Sequence, residues 1–148
     1  MNMEKTILGN DLEICRILNG MWQVAGGHGQ IDSELAIQDM EKYQELGFTT
    51  WDLADIYGPA ESLIGGFSKK TKQNFQAFTK FVPNPGPMSN SIVTYYIDES
   101  LKKMNTECID LLQFHWWDYQ DSSYLDALQH LSKLQNEGKI KNLGLTNF

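Results

Sequence analysis

Four side chains able to move or steer a proton punctuate this sequence: Asp52, Tyr57, Lys80 and His115. Asp52 closes the run "GFTTWD", Tyr57 follows in a Gly-Pro turn, Lys80 sits in "FTKF" and His115 in "LLQFHWWD". A phenol alone has a pKa of about 10, too high for easy proton exchange near neutrality. A lysine ammonium held beside it would favour the phenolate and lower that value. A carboxylate paired with the lysine would keep the ammonium charged and aimed. A histidine at the same place could hydrogen-bond the oxygen of a carbonyl substrate. Such a set is suited to acid–base work at a hydride-transfer centre, with the phenol as the acid and the carboxylate as its orienter.

None of these residues neighbours another, so the elements between them must bring them together. "TILGNDLEI" reads as a hairpin around Gly9-Asn10-Asp11. "RILNGMW" is a short β-rich run. The Gly-rich "AGGHGQ" leads into a helix over "DSELAIQDMEKYQELG". Asp32 or Ser33 caps that helix, Ala36, Met40 and Tyr43 mark its apolar stripe, and Gly47 stops it. "FTTWDLA" is the next strand and "AESLIGGF" a short helix. "NFQAFTKF" is a strand, after which a Pro/Gly-rich loop delivers Ser89 or Asn90 as a cap. "SIVTYYIDESLKKM" is a helix, "IDLLQFH" a strand, "SSYLDALQHLSKLQNEG" a helix stopped by Gly138, and "IKNLGLTNF" a last strand.

Five strands and four helices in strict alternation, (βα)4β, predict parallel strands joined by right-handed crossovers. A doubly wound sheet and a TIM barrel share that pattern, and the polar residues decide between them. Asp52, Lys80, His115 and Asn147 each end a strand, at intervals of 28, 35 and 32 residues, each about one βα unit. In a barrel all four strand ends open on one face, the face that carries active sites. Any one of them has an ordinary account as a turn cap, a solvated lysine or a core histidine. Four in one phase call for a shared site.

Composition narrows the rest. With 148 residues the chain makes one domain, and 41% hydrophobic with 21% charged residues is ordinary for a globular protein. A net charge of −7 without a basic stripe argues against nucleic-acid binding. No apolar run is long enough for a signal peptide or a membrane span, and a cytoplasmic location is expected. Cys15 and Cys108 show no metal or redox spacing and read as buried reduced thiols; no metal site is expected.

These segments resemble the aldo-keto reductase superfamily from about residue 6 to the C-terminus. "GFTTWDLADIYGPAE" is similar to the segment carrying that family's aspartate and tyrosine, "FTKF" to its lysine strand, and "DLLQFHWWD" to its histidine strand. "NGMWQ" is similar to its opening strand and "GKIKNLGLTNF" to the segment that holds the nicotinamide carboxamide. The resemblance implies a TIM (β/α)8 barrel and NADPH-dependent reduction of an aldehyde or ketone, or the reverse alcohol oxidation. It implies Tyr57 as the acid, Lys80 and Asp52 as its tuning pair, and His115 as the group that orients the carbonyl. Thr146, where serine is commoner, and Asn147 would contact nicotinamide. Asp52, Gly20, Met21 and Trp22 would complete the cofactor contacts, with Trp22, Trp116 and Trp117 walling the substrate pocket.

The family barrel has eight βα units, and this sequence reaches five strands and four helices. The part beyond strand five supplies, in relatives, the aromatic that stacks on nicotinamide and the basic residues for the cofactor phosphates. "GGHG" at 26–29 lacks the GxGxxG spacing and reads as a flexible βα loop, with His28 a possible substrate contact. The expectation is therefore a fragment, weakly active or inactive alone, whose inward residues in "FQAFTK" and "LLQFH" meet water. Its open sheet edges would favour self-association. The rival reading is a non-catalytic binding protein on a reductase scaffold.

Overall fold

The computed structural model describes residues 3–27 and 29–148. His28, a possible substrate contact by sequence, lies outside the described residues. The chain opens with an antiparallel hairpin, β1 (Lys5–Leu8) and β2 (Leu12–Cys15), turning at Gly9 with φ +65°. Then come β3 (Asn19–Gly20), a 3-10 turn (Trp22–Ala25), α1 (Ser33–Glu45), β4 (Thr50–Asp52), α2 (Ala60–Lys70) and β5 (Gln76–Phe81). They are followed by α3 (Asn90–Met104), β6 (Ile109–His115), α4 (Tyr124–Asn136) and β7 (Ile140–Thr146). Strands β3 to β7 form one parallel sheet in chain order, β3-β4-β5-β6-β7. A doubly wound sheet reverses its order at a switch point. This one does not, as a barrel requires.

The caps follow the sequence. Asp32 accepts hydrogen bonds from the amides of Glu34 and Leu35, and Ser89 from that of Ile92. The α1 stripe is rotated by one residue from expectation. Ile37, Met40 and Gln44 are buried, whereas Tyr43 is exposed. Gln44 tolerates burial because its amide accepts from the Thr71 hydroxyl at 2.7 Å and donates to the carbonyls of Gln73 and Asn74. "RILNGMW" yields only two strand residues. The Met21 amide donates to the Asp52 carbonyl at 2.9 Å, and the chain then winds into the 3-10 turn.

Helices pack on one face of the sheet through two apolar clusters. One is centred on Phe81, Ile97, Leu112, Phe114 and Leu131, the other on Met40, Trp51, Leu63, Ile64 and Phe67. At Gly65 a β-carbon would stand 2.0 Å from the Lys103 carbonyl oxygen, so α2 and α3 approach this closely only with glycine there. The opposite, inner face is where correction is needed. Phe78 and Leu111 do not meet water: they are 1% and 9% exposed, packed under Leu12 and Ile14 of the hairpin. The hairpin floors the inner face and is tied to β4 by the Cys15 amide donating to the Thr50 hydroxyl at 3.0 Å. Cys15 is buried, but Cys108 is exposed rather than buried. Among the described residues no helix is long and apolar enough to cross a membrane.

Candidate active site

Above the floor the inner face turns polar. Asp52 ends β4, Lys80 lies near the end of β5, and His115 ends β6 in register with Thr146, the last residue of β7. Because the strands are parallel, these ends share one mouth. The chain beyond β4 stays bound to β5: the Leu53 amide donates to the Phe78 carbonyl and the Asp55 amide to the Lys80 carbonyl. This zipped segment presents Tyr57. Gly58 has φ +50°, and a β-carbon on it would stand 3.2 Å from the Ala25 carbonyl oxygen, so the Tyr57 loop can lie against the 3-10 turn.

Lys80 and Asp52 form a fork. The Lys80 Nζ donates to both carboxylate oxygens of Asp52 at 2.8 Å and to the Leu53 carbonyl at 2.7 Å, using all three of its protons. The lysine side chain is 12% exposed and the aspartate 29%, so the pair is screened only in part. The Tyr57 ring stands over the ammonium, its centroid 5.2 Å from Nζ, and meets the exposed Trp22 edge-on at 5.1 Å.

The electrostatics depart from the expected tuning. Burial, and then the negative charge of Asp52, raise the Tyr57 phenol above its ordinary value. With its protons committed to Asp52 and Leu53, the lysine offers none to the phenol oxygen. Tyr57 is thus held firmly protonated rather than poised to ionise. His115 moves the other way: burial, and then the Lys80 charge, push the imidazole below its ordinary value, so it is neutral near neutrality. Its Nε2 is buried without a hydrogen-bond partner among the described residues, and its ring meets Trp117 edge-on at 4.7 Å.

The remaining expected residues divide. Trp22 and Trp117 are exposed beside Tyr57 and His115. Trp116 is not a pocket wall: it is 1% exposed, packs with Phe114 and Tyr124 in the helix-side core, and donates its Nε1 proton to the Asp118 carbonyl. Strand parity explains this, since the side chain next to His115 must face the other way. Met21 has its side chain in the helix-side cluster and its amide committed to Asp52, so neither is free for a cofactor. Gly20 is exposed at the edge of the sheet, on β3. Asn147 is exposed just past β7 at φ +62°, its carbonyl accepting from the Tyr119 hydroxyl at 2.6 Å. Sequence reasoning missed two groups. Gln113, on β6, donates to Asp52 Oδ1 at 3.0 Å. Asp55 is largely buried, accepts from the Val82 amide, and is pushed by burial up to about 6. Parity with His115, two residues on, could have flagged Gln113; Asp55 carried no such signal.

The model of the aldo/keto reductase family matches residues 16–148. The 6-dehydroglucose reductase of Agrobacterium fabrum is 31% identical over 167 residues, covering 99% of this chain and 54% of that protein. Among solved structures, the holo form of an aldo-keto reductase from Bacillus halodurans superposes with a TM-score of 0.80 at 24% identity, covering 98% of this chain and 50% of the other. An aldo-keto reductase of Bombyx mori in complex with NADP superposes with a TM-score of 0.79 at 20% identity, covering 100% and 52%. The fold is thus that of aldo-keto reductase TIM barrels, and this chain spans about half the length of these relatives. By its family match, by its fold and by what it is similar to, the chain belongs to the aldo/keto reductase family.

Proposed function

We propose that the mouth of this sheet is the catalytic part of an NADPH-dependent oxidoreductase that interconverts an aldehyde or ketone and its alcohol. The observation that carries the reading is the Lys80–Asp52 fork with the Tyr57 ring standing over it. The phenol holds its proton, and the developing alkoxide of a reduced carbonyl is far more basic than a phenolate, so the transfer runs downhill. The resulting phenolate would form 5.2 Å or so from an ammonium, measured at the ring centroid, which offsets the charge at the moment it appears. Asp52 keeps that ammonium fixed. The neutral His115, at the end of β6 beside the exposed Trp117, would turn its imidazole to hold the carbonyl oxygen in line with Tyr57.

The residues present suit the nicotinamide end of the cofactor. Thr146, level with His115, and the exposed Asn147 supply a hydroxyl and an amide at the mouth, and Trp22 supplies an aromatic wall beside Tyr57. When bound, the nicotinamide supplies the hydride. Trp22 and Trp117 flank the place where a carbonyl would lie and help exclude water from it.

The test is isotope transfer. The full-length protein is supplied with a panel of aldehydes and NADPH deuterated at the transferable position, and the alcohols are analysed by mass spectrometry. Deuterium on the former carbonyl carbon is expected. Cofactor oxidation without label in the alcohol, or no alcohol from any member of the panel, would overturn the reading.

A further inference from the structure

We propose that Gln113 is a positioning residue for this site, its side-chain amide clamping the Asp52 carboxylate from β6, across β5. The inference rests on the reading of the Asp52–Lys80–Tyr57 set given above.

Asp52, Lys80 and Gln113 occupy three consecutive strands, β4, β5 and β6. Lys80 and Gln113 are register partners and therefore lie side by side on the inner face. Neighbouring strands are about 4.8 Å apart, so for Gln113 to reach a carboxylate on β4 it must stretch across β5. It does so with Nε2 donating to Oδ1 at 3.0 Å. Oδ1 thus accepts from both Lys80 and Gln113, and Oδ2 from Lys80.

The neighbours leave Gln113 free to lean this way. Its register partner on β7 is Gly144, which has no side chain to compete for the space. A β-carbon there would stand 4.0 Å from the Gln113 Cγ and 3.4 Å from Leu111 Cδ1, filling the side from which the glutamine leans away. Below, Leu111 and Phe78 form the packed floor, so the amide has little freedom to swing down.

The chemical type matters as much as the reach. A lysine or arginine at this position would add a second cation that competes with Lys80 for the carboxylate. It would also stand two residues from His115, an imidazole already pushed down by burial and then by the Lys80 charge. A carboxylate would compete for Lys80 itself. A neutral amide donor fixes Asp52 and leaves the charge count of the mouth at one cation and one anion. Without it, Asp52 would be held by Lys80 alone, and the fork could rotate as a unit away from the Tyr57 ring.

Gln113→Met, which keeps the length and unbranched shape and removes the donor, separates positioning from packing. Two readouts are taken on the full-length protein. One is the solvent exchange of the Lys80 ammonium protons, followed by nitrogen-15 NMR with the lysine assigned through Lys80→Arg. The other is the division of the kinetic effect between kcat and KM. A hydrogen bond to a charged group supports a loss on the order of tenfold in kcat with KM little changed, together with ammonium exchange accelerated several-fold. If Gln113→Met does not fold, Gln113→Leu, also uncharged and unable to donate, gives the same two readouts. Unchanged ammonium exchange and unchanged kcat in a folded variant would overturn the inference. Faster exchange with no turnover in the parent protein would instead leave the clamp standing and count against the catalytic reading.

Discussion

Two carboxylates three residues apart, Asp52 and Asp55, meet opposite treatment. Asp52 faces the mouth and accepts three hydrogen bonds, two from Lys80 and one from Gln113. Asp55 turns to the backbone just past β5, where Oδ2 accepts from the Val82 amide at 3.1 Å and Oδ1 is buried without a partner among the described residues. A second carboxylate behind the mouth, Glu61, is only loosely paired. Glu61 is 2% exposed, accepts from the Thr79 hydroxyl through Oε1, and meets Lys103 only at 3.6 Å. The contrast shows where the chain places its cations. Lys80 is nearly buried and fully engaged at the mouth, whereas Lys103 is 44% exposed and loosely held behind it. The mouth pair has its hydrogen-bonding positions filled and its geometry fixed, while burial pushes the under-satisfied Asp55 carboxyl up.

Breaking the mouth pair should have the largest effect. Lys80→Met leaves the Asp52 charge partly buried beside a phenol that burial, and then this charge, already push upward. Ionising Tyr57 then becomes harder still, and carbonyl reduction should fall at least about a hundredfold, near the size expected for one lost charge-stabilising group. Stability should drop by about 2 kcal/mol, below the range for fully buried pairs because Asp52 retains some solvent. Steady-state kinetics and urea unfolding would check both. A variant with near-normal turnover would mean that the fork is structural.

Asp55 sharpens the comparison through pH. Its folded value, about 6, lies above the roughly 3.9 of an unfolded aspartate. The stabilisation from keeping it protonated is therefore fully present below about pH 3.9 and is lost as pH rises through about 6. Asp55→Asn keeps the acceptor for the Val82 amide and cannot ionise. It should match the wild type near pH 4 and exceed it at pH 8 by about 2–3 kcal/mol. Urea unfolding at the two pH values would show it; an Asn variant less stable at pH 8 would mean that the ionised carboxylate is better satisfied than its contacts indicate.

The smallest effect belongs to Lys103→Ala. Removing a half-exposed ammonium 3.6 Å from Glu61 should cost about 1 kcal/mol, because solvent already screens the lysine. Thermal unfolding of that variant alone and with Glu61→Gln would isolate the pair; a coupling larger than that of Lys80 with Asp52 would invert the contrast between the two regions.

The difference between the two carboxylates was only half legible in the sequence. Asp52 stands at the end of a short apolar run, in phase with Lys80 and His115, and the βα spacing places all three on one rim. The helix caps Asp32 and Ser89 and the stop at Gly138 were equally readable, because each acts on backbone a few residues away. Contacts made over long sequence distances were not. The Gln113 bond to Asp52 spans 61 residues, and the hairpin that floors the inner face meets Phe78 and Leu111 from the other end of the chain. Strand parity would have separated Trp116 from Trp117 had it been carried one residue past His115. The raised Tyr57 phenol was illegible for a further reason. Proximity of a lysine is foreseeable, but not the commitment of its three protons elsewhere.

The central claim is that Tyr57 delivers the proton, and turnover of Tyr57→Phe tests it most directly. Phenylalanine keeps the ring over Lys80 and the edge contact with Trp22, and removes only the hydroxyl. Measured in the full-length protein with an aldehyde it reduces, alongside NADPH affinity by fluorescence titration, kcat should fall by about 10²–10⁴-fold while cofactor affinity stays within a few-fold of the parent. A Tyr57→Phe protein that keeps most of its kcat would contradict the account.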